Sequence, residues 1–390
     1  MAAFEKVYDR TNTRSVKWDM RKNVFQTDNV LPMWVADMDF QAPQAVNDAL
    51  IERAKHGIYG YTTIDSDVRN AIISWISRRH SWEIKDDWLS FSPGVVASLH
   101  MAVQAFTDPG DSILIQTPVY TPFYNVIETH DRTIVKNPLR RKDHYYHIDF
   151  EDFEEKLKTG VKAFILCSPH NPVGRVWTEE ELKEMARLCL KHDVLILSDE
   201  IHADLIYPGE RHIPIASLSD EIAAQTITFM SPSKTFNLAG LQASYIITSD
   251  KQKRDLLDKQ LTNQGHHMIN TMGNIAIEAS YQHGEKWLDE LRDVLAGNKA
   301  YVIQKLEGET NKLKVTKSEG TYLLWIDCSA LGLDSEGLKE FMSKTAGVGL
   351  NAGAGYGEEG EMFMRMNIAC PRATLQEGVQ RIVEAVNNYQ

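Results

Sequence analysis

The sequence predicts an α/β fold in which a large, mainly parallel sheet flanked by helices is joined to a smaller α+β unit. Three observations lead there. The chain has 390 residues, room for about two domains. From about residue 43 to about residue 250, short apolar runs alternate with helical periodicity, the pattern of parallel strands joined by crossover helices. After a helix-rich stretch to about residue 309, three more strand-like runs and two helical patterns follow at closer spacing. The expected division is a large unit over 43–285, with 1–42 and 286–390 forming the small one.

Taken in order, the first 40 residues are rich in Trp and Asp without clear periodicity, so they are expected to cross the surface and join the small unit. Leu99, Ala102, Val103 and Phe106 recur at i, i+3, i+4 and i+7, the spacing of one helix face. Strand-like runs cover 112–116, 161–167, 194–198, 226–230 and 243–248, giving five strands with crossover helices. Leu182, Met185, Ala186 and Cys189 mark a helix between two of them, opened by Thr178 and Glu181 as a capping box. In the small unit, strands are expected over 312–317, 322–328 and 362–369, with helices over 334–344 and 374–389.

Composition narrows the function classes. There are 42 Lys and Arg against 54 Asp and Glu, a net charge of -12, with both signs mixed along the chain. Nucleic acid and anionic membrane are poor partners for such a surface. No apolar run approaches the roughly 20 residues of a membrane span, and the first residues lack a signal-peptide core, so a cytoplasmic location is expected. The four cysteines, Cys167, Cys189, Cys328 and Cys370, form no CxxC motif and read as packed thiols. Histidines include the pair His266-His267 but no HExxH spacing, so no metal is expected.

Two motifs mislead. Gly355-Tyr356-Gly357-Glu358-Glu359-Gly360 spells GxGxxG, yet it leads into a strand-like run, whereas a dinucleotide fingerprint opens a helix. Ser231-Pro232-Ser233-Lys234 spells SxxK, but the only KTG, at 158–160, precedes it, the reverse of the penicillin-binding order. A different reading starts from position. Lys234 follows the run 226–230, Asp199 follows another, and Asn171 follows a third, and in α/β sheets ligands bind at strand ends. An amine for an imine, a carboxylate for a ring nitrogen and an amide for a ring hydroxyl are together what pyridoxal 5′-phosphate requires.

These segments, SPHNPVGR at 168–175, SDEIH at 198–202 and SPSKTFNLAG at 231–240, resemble the fold-type-I pyridoxal-phosphate enzymes, whose fold is aminotransferase-like. The likeness is nearest to the bacterial cystathionine β-lyase (C–S lyase) group of the MalY/PatB type. It runs from Leu31-Pro32-Met33-Trp34-Val35-Ala36-Asp37 to Phe363-Met364-Arg365-Met366-Asn367. By this resemblance Lys234 is the Schiff-base lysine, Asp199 the partner of the pyridine nitrogen, and Asn171 the donor to the ring hydroxyl. His202 stands where the aminotransferases usually carry Tyr and is expected near that hydroxyl. Gly94, Val95 and Val96 open a helix that would hold the phosphate, helped by Ser231 and by Tyr61 from the neighbouring subunit. Tyr120 would stack on the ring. Arg365 would grip the substrate α-carboxylate, with the backbone of Ala36 touching it and with Trp34 and Tyr356 lining the side-chain pocket.

The blander alternatives are a surface salt bridge for Arg365, core packing for Tyr120, a packed neutral imidazole for His202, and a buried salt bridge or helix cap for Asp199. Gln242 stands where the aminotransferases place a phosphate-binding arginine, which favours the lyase group. The resemblance thus implies a cytoplasmic homodimer with shared active sites that eliminates a thiol from L-cystathionine or related S-substituted L-cysteines. An aminotransferase of the same fold, or a lyase with an added regulatory role through a protein partner, is the alternative. Thr117-Pro118 and Asn171-Pro172 are expected to be cis.

Overall fold

The computed structural model describes residues 2–266 and 268–389, so His267 of the histidine pair lies outside the described residues. Seven strands form the large sheet: β1 Leu89–Ser92, β2 Ser112–Thr117, β3 Thr133–Pro138, β4 Ala163–Cys167, β5 Leu195–Asp199, β6 Thr226–Met230 and β7 Ser244–Ile247. Their spatial order is β1-β7-β6-β5-β4-β2-β3. Pairings from β3 across to β6 are parallel, and β7 runs against both of its neighbours.

Three features of this sheet depart from expectation, each for a physical reason. β1 and β3 escape the apolar-run criterion. The first is the half-polar Leu-Ser-Phe-Ser, and β3 lies at the sheet edge, part exposed and ending in Pro138, as edge strands do. β7 is antiparallel because the link from β6 holds only the turn of helix Pro232–Thr235 and the short turn Ala239–Leu241. That is too little for a helical crossover.

The central strands β4, β5 and β6 are buried along their whole length, as parallel strands covered on both faces must be. Side-chain alternation sends Ile113, Ile115, Ile165 and Leu197 to one face, against Leu99, Ala102 and Val103 of helix α1, Val95–Phe106. Leu114, Phe164 and Ile196 go to the other face, against Leu182, Met185 and Ala186 of helix α2, Glu179–Lys191. The Thr178–Glu181 capping box is formed at the start of α2, a contact that stabilises the helix by about 1 kcal/mol.

A second sheet joins Lys314–Val315, Leu323–Asp327, Phe363–Asn367 and Asn351–Ala352 in that order, all antiparallel. Leu31–Pro32 pairs in parallel with Val348–Gly349, tying the N-terminal segment to this part of the chain. That segment does not skim the surface, however. Lys17, Met33, Met38, Asp39 and Phe40 are buried, because Asp39 gathers Lys17 Nζ at 2.6 Å, Arg10 Nη1 at 2.7 Å and Trp18 Nε1 at 2.9 Å into one network. The expected helix at 334–344 is α-helical only over Ser335–Glu340 and continues as a π-helical turn, Phe341–Thr345. The glycine motif at 355–360 spans short 3-10 turns leading into the strand Phe363–Asn367, with no helix to receive a pyrophosphate. Thr117-Pro118 and Asn171-Pro172 are both cis, and so is Ser168-Pro169. The four cysteines are free and buried. No helix among the described residues is long and apolar enough to cross a membrane.

Candidate active site

The carboxyl ends of β2, β4, β5 and β6, the start of β7 and the start of α1 converge on one cavity of about 240 Å³. Its walls include Gly94, Val95, Val96, Tyr120, Asn171, Asp199, His202, Ser231, Lys234 and Ala36. The strand order reverses between β2 and β4, the kind of switch point where open α/β sheets bind ligands.

Lys234 sits in the turn of helix Pro232–Thr235, whose N-cap Ser231 accepts the Ser233 N–H. Its Nζ donates to the Ala36 carbonyl at 2.8 Å. Burial, reinforced by Arg365, lowers the Lys234 pKa to about 8, against the opposing pull of Asp37 and Asp199. Burial also raises Asp199 to about 7, despite the Ile201 N–H and the charge of Lys234. One oxygen of Asp199 accepts that N–H at 3.2 Å, and among the described residues no donor meets the other. Both groups are thus held close to the neutral range, where either can exchange a proton.

Arg365 is only 4% exposed, and among the described residues it has no anionic partner. Its Nη1 donates to Asn171 Oδ1 at 3.1 Å, its Nη2 to the Trp34 carbonyl at 2.9 Å and to Asn351 Oδ1 at 2.8 Å, and its Nε is unpartnered. The surface salt-bridge alternative is therefore excluded. A buried charge without a counter-ion costs several kcal/mol, and neutral acceptors offset only part of that. Such a guanidinium can take an anionic group. Tyr356 lies behind this guanidinium, 5.1 Å from ring centre to Cζ, packed on Trp325. Trp34 packs edge-on against Phe25. Neither lines the cavity itself; both fix Arg365 from outside it.

The Asn171 oxygen is taken by Arg365, which turns the amide so that among the described residues its Nδ2 has no partner. His202 is fully enclosed, and burial together with Lys234 and Arg365 lowers its pKa to about 3, so the imidazole is neutral. Its Nδ1 is unpartnered. Burial, then Asp199, raises Tyr120 to about 12, so it stays a phenol. Gly94 has φ of +145°, a conformation that disfavours any side chain. The first N–H groups of α1 beyond it have no carbonyl partners within the helix, an arrangement that attracts anions.

The Ser231 hydroxyl donates to Ala243 O at 2.7 Å, so its proton is already committed. Ser233 and Gln242 also line the cavity and were not singled out as ligands from the sequence. Ser233 falls inside the SPSK motif, which was the available signal. Tyr61 does not line the cavity and is 97% exposed.

The donor set fits a pyridine ring bearing a phosphate. The same cavity gathers uncommitted helix N–H groups, Gln242, a carboxylate of raised proton affinity, an amine with a lowered pKa and an unspent amide.

Comparison with known proteins agrees with this chemistry. Residues 28–382 match the family described as aminotransferase class I and II. The chain is 48% identical over 385 residues to cystathionine β-lyase PatB of Bacillus subtilis, covering 98% of this chain and 100% of that protein. Cystalysin of Treponema denticola, solved with pyridoxal 5′-phosphate, superposes with a TM-score of 0.97 at 37% identity over 99% of each chain. The pyridoxal-phosphate-bound C–S lyase of Staphylococcus hominis gives a TM-score of 0.92 at 35% identity, over 98% of this chain and 97% of that one.

Proposed function

The chain belongs to the aminotransferase class I and II family, and within that family we propose that it acts as a pyridoxal-phosphate-dependent carbon–sulfur β-lyase. L-Cystathionine or another S-substituted L-cysteine is converted to a thiol, pyruvate and ammonia. The observation that carries the reading is one cavity holding Lys234 and Asp199, flanked by a guanidinium that among the described residues lacks an anion.

When bound, pyridoxal 5′-phosphate supplies an electrophilic carbonyl and a protonated ring that takes up the electrons freed as the substrate's Cα proton leaves. The chain's residues do the rest. Asp199 would keep the proton on the ring nitrogen, Asn171 Nδ2 would donate to the ring hydroxyl beside the neutral His202, and Tyr120 would cover the ring. The N–H groups of Val95 and Val96, with Ser233 and Gln242, would hold the phosphate through neutral contacts, while Ser231, its proton given to Ala243 O, shapes the turn that carries Ser233. Arg365 binds the substrate α-carboxylate, with Ala36 N–H beside it. Lys234 Nζ, whose free base is accessible near neutral pH, takes the Cα proton and delivers it to the departing sulfur.

Supplied with L-cystathionine and no 2-oxo acid, the protein should release homocysteine, pyruvate and ammonia in equal amounts. A requirement for 2-oxoglutarate, with glutamate accumulating and no thiol, would make it an aminotransferase instead. Arg365→Ala should lower kcat/KM for L-cystathionine by about 10²- to 10³-fold, mainly through KM, since truncating one partner of a buried charge pair costs about 2–5 kcal/mol. Steady-state kinetics checks this.

Tyr61, with Ile58 and Tyr59, gives a solvent-facing apolar stretch. We place a second copy of the chain there, with Tyr61 reaching the phosphate site of its partner. The reading also keeps a cytoplasmic location and a division into a large unit over 43–285 and a small one from 1–42 and 286–390. Mixing Tyr61→Phe with Lys234→Ala protein should then restore activity above either alone, because a hybrid dimer contains one intact site. No recovery after confirmed subunit exchange would remove the shared site.

A further inference from the structure

Two buried carboxylates, neither of which lines the cavity, are not used by the chemistry above. Asp204 accepts from Thr235 Oγ1 at 2.8 Å, from Trp75 Nε1 at 3.2 Å and from His80 Nε2 at 3.0 Å. Glu200 accepts from Ser198 Oγ at 2.8 Å, from Ile215 N–H at 3.3 Å and from His212 Nε2 at 2.8 Å. All of these side chains are buried. The two imidazoles meet edge to face, with ring centroids 5.5 Å apart, and each leaves its Nδ1 unpartnered.

The sequence positions matter more than the contacts alone. Thr235 is the residue after Lys234, and Ser198 and Glu200 flank Asp199. Each group that handles a proton in the cavity is therefore tied, one residue away, to a carboxylate backed by a histidine. Buried carboxylate–imidazole couples are poor sources of stability, and packed apolar side chains in their place are often neutral or stabilising. Two such pairs, each beside one of the two key residues, call for another reason. A fully satisfied buried polar network fixes geometry more tightly than apolar contact does, because hydrogen bonds are directional and leaving one unmade is costly.

We propose that Asp204–His80 and Glu200–His212 are two positioning couples, which hold Lys234 through Thr235 and Asp199 through Ser198 in the alignment the reaction needs. Neither couple touches the substrate; each acts through the residue it anchors. A misplacement of the proton-carrying amine lowers the rate without weakening substrate binding, which depends on Arg365.

The inference rests on the lyase reading above, and its test separates the two. In the holoenzyme, Thr235→Val should lower kcat about tenfold, leave KM for L-cystathionine within about twofold and shift the visible absorption band of the bound cofactor. Thr235→Ser should restore both kcat and the band. Ser198→Ala should move the band in the same manner with a smaller loss of kcat. If kcat and band stay unchanged in both variants, the proposal is overturned. A general loss of melting temperature that Thr235→Ser does not recover also overturns it, since that marks a merely structural role. Should the unaltered protein release no thiol and pyruvate, the lyase reading falls, and the band shift with its Thr235→Ser recovery still decides the positioning claim.

Discussion

Lys234→Ala should lose at least about 10⁴-fold in kcat, because one side chain is asked to take the Cα proton and to return it to sulfur, and positioned acid–base catalysis alone contributes about 10²–10⁴-fold. Among the described residues the Nζ donates only to the Ala36 carbonyl, so its removal breaks no direct ion pair, although Asp199 loses the attraction of its charge. The fold should be undisturbed and the melting temperature close to that of the unaltered protein. Substrate should still bind, since Arg365 and its neutral acceptors are untouched. Single-turnover kinetics with L-cystathionine checks the loss, and methylamine added as a diffusible base should recover part of the rate. A variant retaining more than about a hundredth of the activity would mean that another base serves.

Asp199→Asn should lower turnover by about 10³-fold, yet stabilise the cofactor-free protein, and the sign follows from its pKa. Burial raises Asp199 from 3.8 to about 7. A raised acid contributes stability that is fully present below the unfolded value and is lost as pH rises through the folded one. Above pH 7 the buried carboxylate is therefore charged at a penalty of at most about 4 kcal/mol, the upper limit set by a shift of about three pKa units. Lys234 works in the opposite sense: its lowered value gives stability that is present above the unfolded pKa and lost as pH falls through about 8. The attraction between the two charges opposes burial at both groups and is the smaller effect. Thermal melts of cofactor-free protein should thus show Asp199→Asn above the unaltered chain at about pH 8, with the gap closing towards about pH 4, where both side chains are neutral. A lower melting temperature for the variant at about pH 8 would show that the carboxylate is stabilised by contacts other than the single Ile201 N–H.

Much of this site was legible because its chemistry sits at strand ends, and buried parallel strands write themselves as unbroken apolar runs. Residues 163–167 form such a run, while 195–199 ends in Ser198-Asp199 and 226–230 holds two threonines. All three strands are fully buried, so Asn171, Asp199 and Lys234, at or just past their ends, are legible from the sequence. Edge and reversed strands carry no such mark. The half-polar β1, the proline-ended β3 and the direction of β7 depend on who their neighbours are, which periodicity does not reveal.

Side-chain commitments were illegible for a similar reason. That the Ser231 proton goes to Ala243, and that Tyr356 props Arg365 from behind, follow from contacts between residues distant in sequence. The buried use of the first 40 residues was hidden by composition, since Asp and Trp read as surface until Lys17 and Arg10 are seen to meet Asp39. His80, 124 positions from Asp204, gave no signal at all.

The central claim is that pyridoxal phosphate is held covalently at Lys234, and one measurement reaches it most directly. The purified yellow protein is reduced with borohydride, digested, and its peptides mapped by mass. The account predicts a single pyridoxyl label, on Lys234 of the peptide containing Ser-Pro-Ser-Lys-Thr. A label on any other lysine, or none, would contradict it.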